Sequence, residues 1–334
     1  MEFGFYRQGL WARGLVEISD DPEALHDGNF WAVVITYEGE KLFARFSEVR
    51  TGVADEFVQS VQGERWIPPR QEWMSSLNQS QYIEAVERVR ESIAAGNVYQ
   101  INLCRVLSAQ CENEQLAGLM PNLIAGNPAP FLTSLELPGL SIASASPELL
   151  LKREGEVITS SPIKGTAKDK DSFLEKDRAE NVMIVDLVRH DFGSICQTGS
   201  VQTPRLLRVE EHPGLFHLVS DVQGNLKHNV RWKEIFAAIL PAGSISGAPK
   251  SSAIELIKSL EKTKRGPYCG ALGWVHGNRA EIAVAIRTFW IDHADSPRTV
   301  KFGTGAGITW GSDPLLEWQE TELKARRLLS LISS

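Results

Sequence analysis

The stretch "SASPELLLKREGEVITSSPIKGTAKDK" (residues 144–170) carries the first decision about fold. Two short runs rich in Leu, Val, Ile and Thr flank a turn at Gly155, so it reads as strand, turn, strand. Upstream, "NQSQYIEAVERVRESIAAGN" sets Tyr82, Val86, Val89 and Ile93 at spacings of four, three and four. That is one stripe of a helix, opened by Asn78 or Ser80 and closed by Gly96. "VYQINLCRVLSAQ" (98–110) reads as a strand. Downstream come a helix over 174–190, a strand over 215–227, a short helix "RWKEIFAAIL" and a Gly/Ser/Pro loop "PAGSISGAPK". A helix "SSAIELIKSLEK" capped by Ser251 or Ser252 follows, then strands at 270–276, 280–291 and 298–304 and a final helix from about 313. Strands and helices mix without a regular βαβ alternation, which indicates the α+β class rather than a doubly wound sheet.

The bulk numbers bound the rest. With 334 residues and 43% hydrophobic content, the chain suits one large domain or two ordinary ones. Net charge is -7 and no long Lys/Arg block exists, so no nucleic-acid partner is expected. An anionic ligand would need local help from a metal ion or from placed Arg and Lys. Cys104, Cys111, Cys196 and Cys269 are scattered without a CxxC pair, which suits a reducing compartment and argues against disulfides or Cys-ligated zinc. The opening "MEFGFYRQGLWARG" lacks a leader pattern, and no apolar run approaches the ~18 residues of a membrane span. The expectation is a cytoplasmic protein with no membrane partner.

Three constellations could carry chemistry. Lys164 stands between Pro162, which fixes a backbone angle, and Gly165, which lets the backbone pass close to something. That describes an ordered loop aiming a side chain, although from this stretch alone a solvated turn lysine is the commoner reading. Asp177 and Glu180 lie three apart on one helix, and Glu317 and Glu320 lie three apart on another, with Lys324 four further on. Like charges at that spacing repel unless a cation intervenes, and Mg²⁺ takes carboxylate oxygens; a solvated acidic face is the commoner use. Two loops are glycine-rich. "PAGSISGAPKSS" (241–252) offers N–H groups and the Ser244 hydroxyl to a carboxylate or phosphate, and "FGTGAGITWGSDP" (302–314) does not match GxGxxG; tight turns are the alternative for both. His217 lies in an alternating strand, where histidine is more often structural. Arg287, in the apolar "AEIAVAIRTFWI", needs an anionic partner, from protein or from substrate.

Taken in order, "SPELLLK", "PIKGT", "KDRAENVMIVDLVRHD", "HLVSDVQG", "PAGSISGAPK", "GPYCGALGW", "AVAIRTF" and "FGTGAGITWGSDPLLEWQET" resemble the chorismate-utilising enzymes over roughly residues 80–330. That family includes component I of anthranilate synthase and of aminodeoxychorismate synthase, and the isochorismate and salicylate synthases. The resemblance implies a single large α+β domain: two antiparallel sheets packed as a sandwich with helices outside. Residues 1–75 would be a short N-terminal part of that fold and 76–334 the chorismate-binding catalytic region.

Within the family, Pro162-Ile163-Lys164-Gly165-Thr166 resembles the aminodeoxychorismate branch; anthranilate synthases typically carry alanine in place of the lysine. The resemblance therefore implies Mg²⁺-dependent amination of chorismate at C4 by ammonia, giving 4-amino-4-deoxychorismate for 4-aminobenzoate and folate synthesis. The alternative is anthranilate synthase component I, which also eliminates pyruvate. Lys164 would add at C2 and expel the C4 hydroxyl, and ammonia would then displace the lysine, two easier steps for one hard one. An ordinary lysine with a pKa near 10.4 is only about 0.04% neutral at pH 7, so a shifted pKa or a nearby base is required. Glu148 matches the acid that protonates the departing hydroxyl. Gln100 stands where the water-using relatives place an activating lysine, which disfavours water as nucleophile.

Other roles are implied in the same way. Glu180 and Glu320 match direct Mg²⁺ ligands, Glu317 a ligand through water, and Asp177 the weakest member of the set. Tyr268, Arg287, Gly305 and Lys324 match positions that hold substrate carboxylates, Ser244 and Gly307 match contacts nearby, and His217 matches a residue near the C4 leaving group. His190 and Asp221 depart from the family pattern, which favours asparagine and threonine there. No Gly-x-Cys-x-Gly elbow surrounds any cysteine, so ammonia is expected from a separate glutamine amidotransferase subunit.

Overall fold

The computed structural model describes residues 3–52, 54–62, 66–167, 169–212 and 215–333. The first ten strands are β1 (Gly4–Arg7), β2 (Leu10–Ser19), β3 (Phe30–Ile35), β4 (Lys41–Thr51), β5 (Met74–Ser75), β6 (Gln100–Gln110), β7 (Phe131–Leu137), β8 (Leu140–Ser146), β9 (Leu149–Glu154) and β10 (Val157–Ser161). They continue as β11 (Ile163–Ala167), β12 (Gln202–His212), β13 (Leu215–Asn225), β14 (Gly247–Ala248), β15 (Ala271–His276), β16 (Arg279–Val284), β17 (Thr288–Asp292) and β18 (Thr299–Ile308). The α-helices are α1 (Ala54–Gln62), α2 (Gln79–Ala94), α3 (Met120–Gly126), α4 (Glu175–Ile195), α5 (Trp232–Ile239), α6 (Lys250–Leu260) and α7 (Pro314–Ile332).

The class expectation holds as a mixed α and β domain, but the sheet differs from the implied sandwich. Hydrogen bonds join all eighteen strands into one curled antiparallel sheet. Long-range pairings join its parts into one continuous open ribbon: β1 with β7, β3 with β15, β9 with β16, β8 with β17 and β6 with β18. Among the described residues the pairing is unbroken, so it does not divide the strands into the two separate sheets that the resemblance implies. The N-terminal strands belong to the same sheet. β3, "FWAVVI", is buried at all six positions, as an unbroken apolar run allows.

Local chemistry explains most elements. α2 starts at a capping box in which Asn78 and Gln81 satisfy each other's backbone N–H groups. Its stripe Tyr82, Val86 and Val89 packs with Ile101, Leu103 and Ala306 from β6 and β18. Asp313 caps α7 by accepting from the N–H groups of Leu315 and Leu316.

Four expectations change. α6 begins at Lys250, after Pro249, so Ser251 and Ser252 lie in its first turn instead of capping it. The strand expected over 280–291 is two strands, with Arg287 at the break in a left-handed conformation (φ +53°). "PIKGT" is strand β11 rather than a loop, and β12 was not foreseen at all. The glycines of "FGTGAG" sit inside β18 instead of in a turn.

Gly247 shows how tightly the sheet is built around the site. It has φ +148°, and a Cβ there would stand 2.2 Å from the Gln100 carbonyl oxygen. Gly247→Ala is expected to lower unfolding stability by about 2–4 kcal/mol, from backbone strain plus overpacking, as read by chemical denaturation. A loss below 0.5 kcal/mol would contradict this close approach.

Candidate functional site

Glycine opens the space in which Lys164 sits. Gly303, Gly305 and Gly307 alternate along β18 and so share one face. A Cβ on Gly307 would lie 2.7 Å from Gln100 Nε2 and 3.5 Å from Lys164 Nζ. The amine therefore approaches bare backbone, with the buried Gln100 amide beside it. Gly165 does a related job behind it. Its φ is +83°, and a Cβ would meet Asp177 Cβ at 3.0 Å and Leu218 Cδ1 at 3.2 Å, so glycine lets β11 press against α4 and β13.

Glu148 follows the end of β8 and is 4% exposed. The Ser244 hydroxyl and the Ile163 N–H donate to its carboxyl. Burial dominates and pushes its pKa up to about 7, although Ser244 and the Lys164 charge act the other way. Glu148 thus keeps a proton into the neutral range. A cavity of about 20 Å³, room for roughly one water, adjoins it and is also lined by Pro162, Ile184, Asp191, Ser244 and Val284.

Lys164 moves the opposite way. Burial lowers its pKa, Glu180 pulls it back up, Lys324 lowers it further, and Glu148 and Glu320 raise it. The lowering widens the range of pH over which a neutral amine exists. Glu180 on α4 is raised by burial and by Asp177 and Glu320, against Lys164. Glu317 is raised by burial, while the Ser312 hydroxyl, donating at 2.6 Å, holds it back. Burial would also raise Glu320, but Lys324, 2.6 Å away, overrides it and the pKa falls. Lys324 donates as well to the Gly305 carbonyl at 3.1 Å.

The structure thus brings together Lys164, Glu148, Ser244, Gly305, Gly307, Glu180, Glu317, Glu320 and Lys324. The other sequence candidates stand as follows. Asp177 Oδ2 accepts the Leu174 N–H at 2.9 Å and caps α4. Ser244 was expected to offer its hydroxyl to a ligand anion; it gives it to Glu148. The N–H groups of that loop are partly taken as well, because β14 pairs with Gln100 and Ile101 of β6. The Tyr268 ring lies over Gly303, and its hydroxyl meets Cys104 Sγ at 3.8 Å, one strand step from Gly305. His217 is buried on β13 opposite Thr166, two residues along from Lys164. Arg287 is half-buried; burial lowers its pKa, helped by Arg327, and among the described residues no carboxylate pairs with it. An anion is what that guanidinium lacks.

Sequence reading passed over the Asp191–Lys250 ion pair, at 2.6 Å, which reaches the Glu148 cavity. His190 is exposed, with Nδ1 3.8 Å from Asp191 Oδ1. The departure at Asp221 has a local cause. This buried carboxylate accepts the Ser161 hydroxyl at 2.7 Å and meets Arg205 Nε at 2.5 Å, tying β12 and β10 to β13.

The acidic side chains of α4 and α7 are tested for a magnesium ion by their own electrostatics. The Glu320 charge raises the pKa of Glu180 across the gap, and the Lys324 ammonium already stands against Glu320 as a counter-charge. An all-carboxylate set suits a hard ion. Among the described residues no three Asp, Glu, His or Cys side chains converge at ligating distance. An ion held there would have to take most of its ligands from water or substrate, which Mg²⁺ tolerates.

Residues 14–330 match the chorismate binding enzyme family, and the chain belongs to it. Among curated proteins it is similar to component 1 of anthranilate synthase from Streptomyces coelicolor, 40% identical over 276 residues, covering 78% of this chain and 53% of that protein. A second such relative, from Saccharolobus solfataricus, is 36% identical over 270 residues, covering 77% and 63%. The chain thus spans little more than half the length of the curated relatives it matches. Two solved structures share the fold. Anthranilate synthase component I from Streptococcus pneumoniae aligns with a TM-score of 0.81 over 98% of this chain and 92% of that one, at 23% identity. The menaquinone-specific isochorismate synthase of Escherichia coli aligns at 0.83 over 99% and 89%, at 17% identity.

Glu148 makes stability depend on pH in a defined direction. A carboxyl whose folded pKa is raised from 4.5 to about 7 stabilises the fold fully below pH ~4.5, and that contribution is lost as pH rises through 7. Glu148→Gln is expected to match wild type near pH 5 and to exceed it by up to about 3 kcal/mol at pH 8 in denaturant unfolding. Equal pH dependence in the two proteins would rule out the raised pKa.

Proposed function

We propose that this chain aminates chorismate at C4 with ammonia, giving 4-amino-4-deoxychorismate, with Lys164 as the covalent nucleophile. The observation that carries the reading is Lys164 itself: a half-buried amine against the bare face of β18, its charge disfavoured, near an acid that keeps its proton to about pH 7. In this reading the neutral amine forms a bond to C2, the ring double bond shifts, and the C4–O bond breaks. Glu148 gives its proton to the departing hydroxyl, which leaves as water. Ammonia then forms the C4–N bond, the double bond shifts back, and the C2–N bond to Lys164 breaks. Lysine leaves as the free amine, and Glu148 regains a proton from the new C4 ammonium group.

Arg287 is the proposed holder of one substrate carboxylate, with Tyr268 behind it. Lys324, Gly305, Gly307 and Ser244 line the approach, and His217 lies towards the leaving group. Glu180 and Glu320 are the proposed direct holders of Mg²⁺, with Glu317 through water; Asp177, occupied as a cap, is the weakest. Bound there, the ion supplies positive charge to a substrate carboxylate. A glutamine amidotransferase subunit is the proposed source of ammonia.

The names of the relatives favour a second reading, amination with pyruvate elimination to give anthranilate. The curated proteins at 36–40% identity are called anthranilate synthase component 1, and on that comparison anthranilate is the better-backed product. What supports the C4 product is Lys164, where the resemblance gives anthranilate synthases alanine.

Product analysis decides between them. With chorismate, Mg²⁺ and ammonium at mildly alkaline pH, mass spectrometry is expected to find aminodeoxychorismate, which a 4-aminobenzoate-forming lyase converts onward. Lys164→Ala should then abolish it. Anthranilate with pyruvate would establish the second reading, and an undiminished rate in Lys164→Ala would remove the covalent role.

Chelation tests the acidic set. EDTA should stop turnover and added Mg²⁺ should restore it. Glu180→Gln or Glu320→Gln should raise the Mg²⁺ concentration needed for half-activity by tenfold or more, about 1.4 kcal/mol in binding. Full activity in EDTA would overturn the assignment.

A further inference from the structure

Outside the reacting groups, one buried ion pair touches three elements of the site at once. Arg265 is 1% exposed. Its Nε donates to Glu261 Oε2 at 2.8 Å and a terminal nitrogen to Glu261 Oε1 at 2.6 Å, a two-point contact one helical turn apart in sequence. The guanidinium also lies 4.1 Å over the Tyr37 ring. Its remaining donors reach backbone: the Ile245 carbonyl at 2.7 Å and the Asn102 carbonyl at 2.7 Å. Glu261 Oε1 in turn accepts the Cys104 N–H at 2.8 Å.

Each backbone contact is one residue or one strand step from a candidate site group. Ile245 follows Ser244, which donates to Glu148. Asn102 is paired with Gly307, the glycine that faces Lys164 Nζ. Cys104 is paired with Gly305, whose carbonyl receives Lys324. Along this edge, β14 pairs with residues 100–101 of β6 and β5 with residues 107–108. Between them, among the described residues, no strand pairs with the edge: the Asn102 N–H goes to the Ser246 carbonyl and Ser76 bonds Val106, while Arg265 takes the Asn102 carbonyl and Glu261 the Cys104 N–H.

A buried ion pair is weak ground for stability, since well-packed apolar residues can often replace it without loss. Its geometry is what sets it apart here. We infer that the Arg265–Glu261 pair is the positioning element of the reacting site, fixing the Ser244 turn, and with it Glu148, relative to the β6–β18 ladder that lines the Lys164 amine. This deepens the proposed function and rests on it for the roles of Lys164 and Glu148. The groups that face Glu148 are Lys164 on β11, Ser244 on the turn, and, across the cavity, Asp191 on α4 with its partner Lys250 on α6.

The test uses two variants, so that failure to fold is not the end of it. Arg265→Met with Glu261→Leu removes both charges together, and Arg265→Lys keeps the charge but loses the fork. In both, kcat with chorismate and ammonium should fall about tenfold to a hundredfold while the chorismate KM changes less than threefold, as expected for misplaced groups. The Glu148 titration, followed by carboxyl-labelled NMR, should move to higher pH because the Ser244 donor is displaced. Ser244→Ala should move it the same way, and adding Ser244→Ala to Arg265→Lys should give little further shift. The titration needs no turnover, so it still reads the positioning role if wild type makes no product, an outcome that would count against the functional reading alone. A folded variant with the Glu148 titration and kcat of wild type would overturn the inference, as would additive shifts in the combined variant.

Discussion

The bare face of β18 is the constraint on which the rest depends. Three alternate glycines leave no side chain there, and the space is filled from outside the strand. The Tyr268 ring occupies the gap at Gly303, the Cys104 thiol that at Gly305, and Lys164 with Gln100 that at Gly307. A methyl group on any of the three would come within 2.7 Å of a neighbour. Glycine weakens a strand, by roughly 0.5–1 kcal/mol per position relative to alanine. The ten-residue ladder between β18 and β6 offsets that loss and holds the glycine face in register. A one-residue slip would turn the bare face away from Lys164.

The charged groups ride on this frame from two helices. α4 is pinned to β13 by buried Asn181, which donates to the Leu218 carbonyl at 3.0 Å and accepts from the Ser220 hydroxyl at 2.5 Å. α7 is pinned to β18 and β6, because Thr304 donates to the Thr321 carbonyl at 3.0 Å and Arg105 Nε to the Thr321 hydroxyl at 3.0 Å, with its guanidinium 4.1 Å over Trp318. Glu180 and Glu320 are thereby carried on two fixed helices, close enough that the Glu320 charge raises the pKa of Glu180, while Glu320 itself is paired with Lys324. Perturbed carboxyl groups gathered in this way are commoner at functional sites than elsewhere.

How much of this was legible in the sequence depended on how local the cause was. The helix of 79–94 was legible because its stripe and its cap at Asn78 lie within a few residues of each other. The interior glycines of β18 misled, since glycine punctuates turns far more often than it clears a strand face, and only the approach of Tyr268 and Lys164 distinguishes the two. The break at Arg287 was hidden because an apolar run has no mark for a left-handed residue. β12 is polar, with two arginines and two glutamates in eleven residues, and is held by Arg205 on Asp221, a pairing that sequence distance conceals. Most candidate groups could be picked out from the residues, but their roles came from family resemblance. Glu261 and Arg265 did carry a local signal, an acid four residues before an arginine, but that spacing is commonplace on exposed helices.

The charge at residue 164 connects the frame to the question of product. Glu148, Glu180 and Glu320 surround that position, and each favours a positive charge on it. Alanine there would leave Glu180 and Glu320 with only Lys176 and Lys324 as counter-charges. Lysine supplies a positive charge when protonated and a nucleophile when not. Burial and Lys324 bring those two states closer in energy than they are in water. An amine needed only for charge balance would be better served by arginine, which stays ionised when buried. A lysine whose charge is both solicited by neighbouring carboxylates and opposed by burial has the properties that proton loss and bond formation at one nitrogen require.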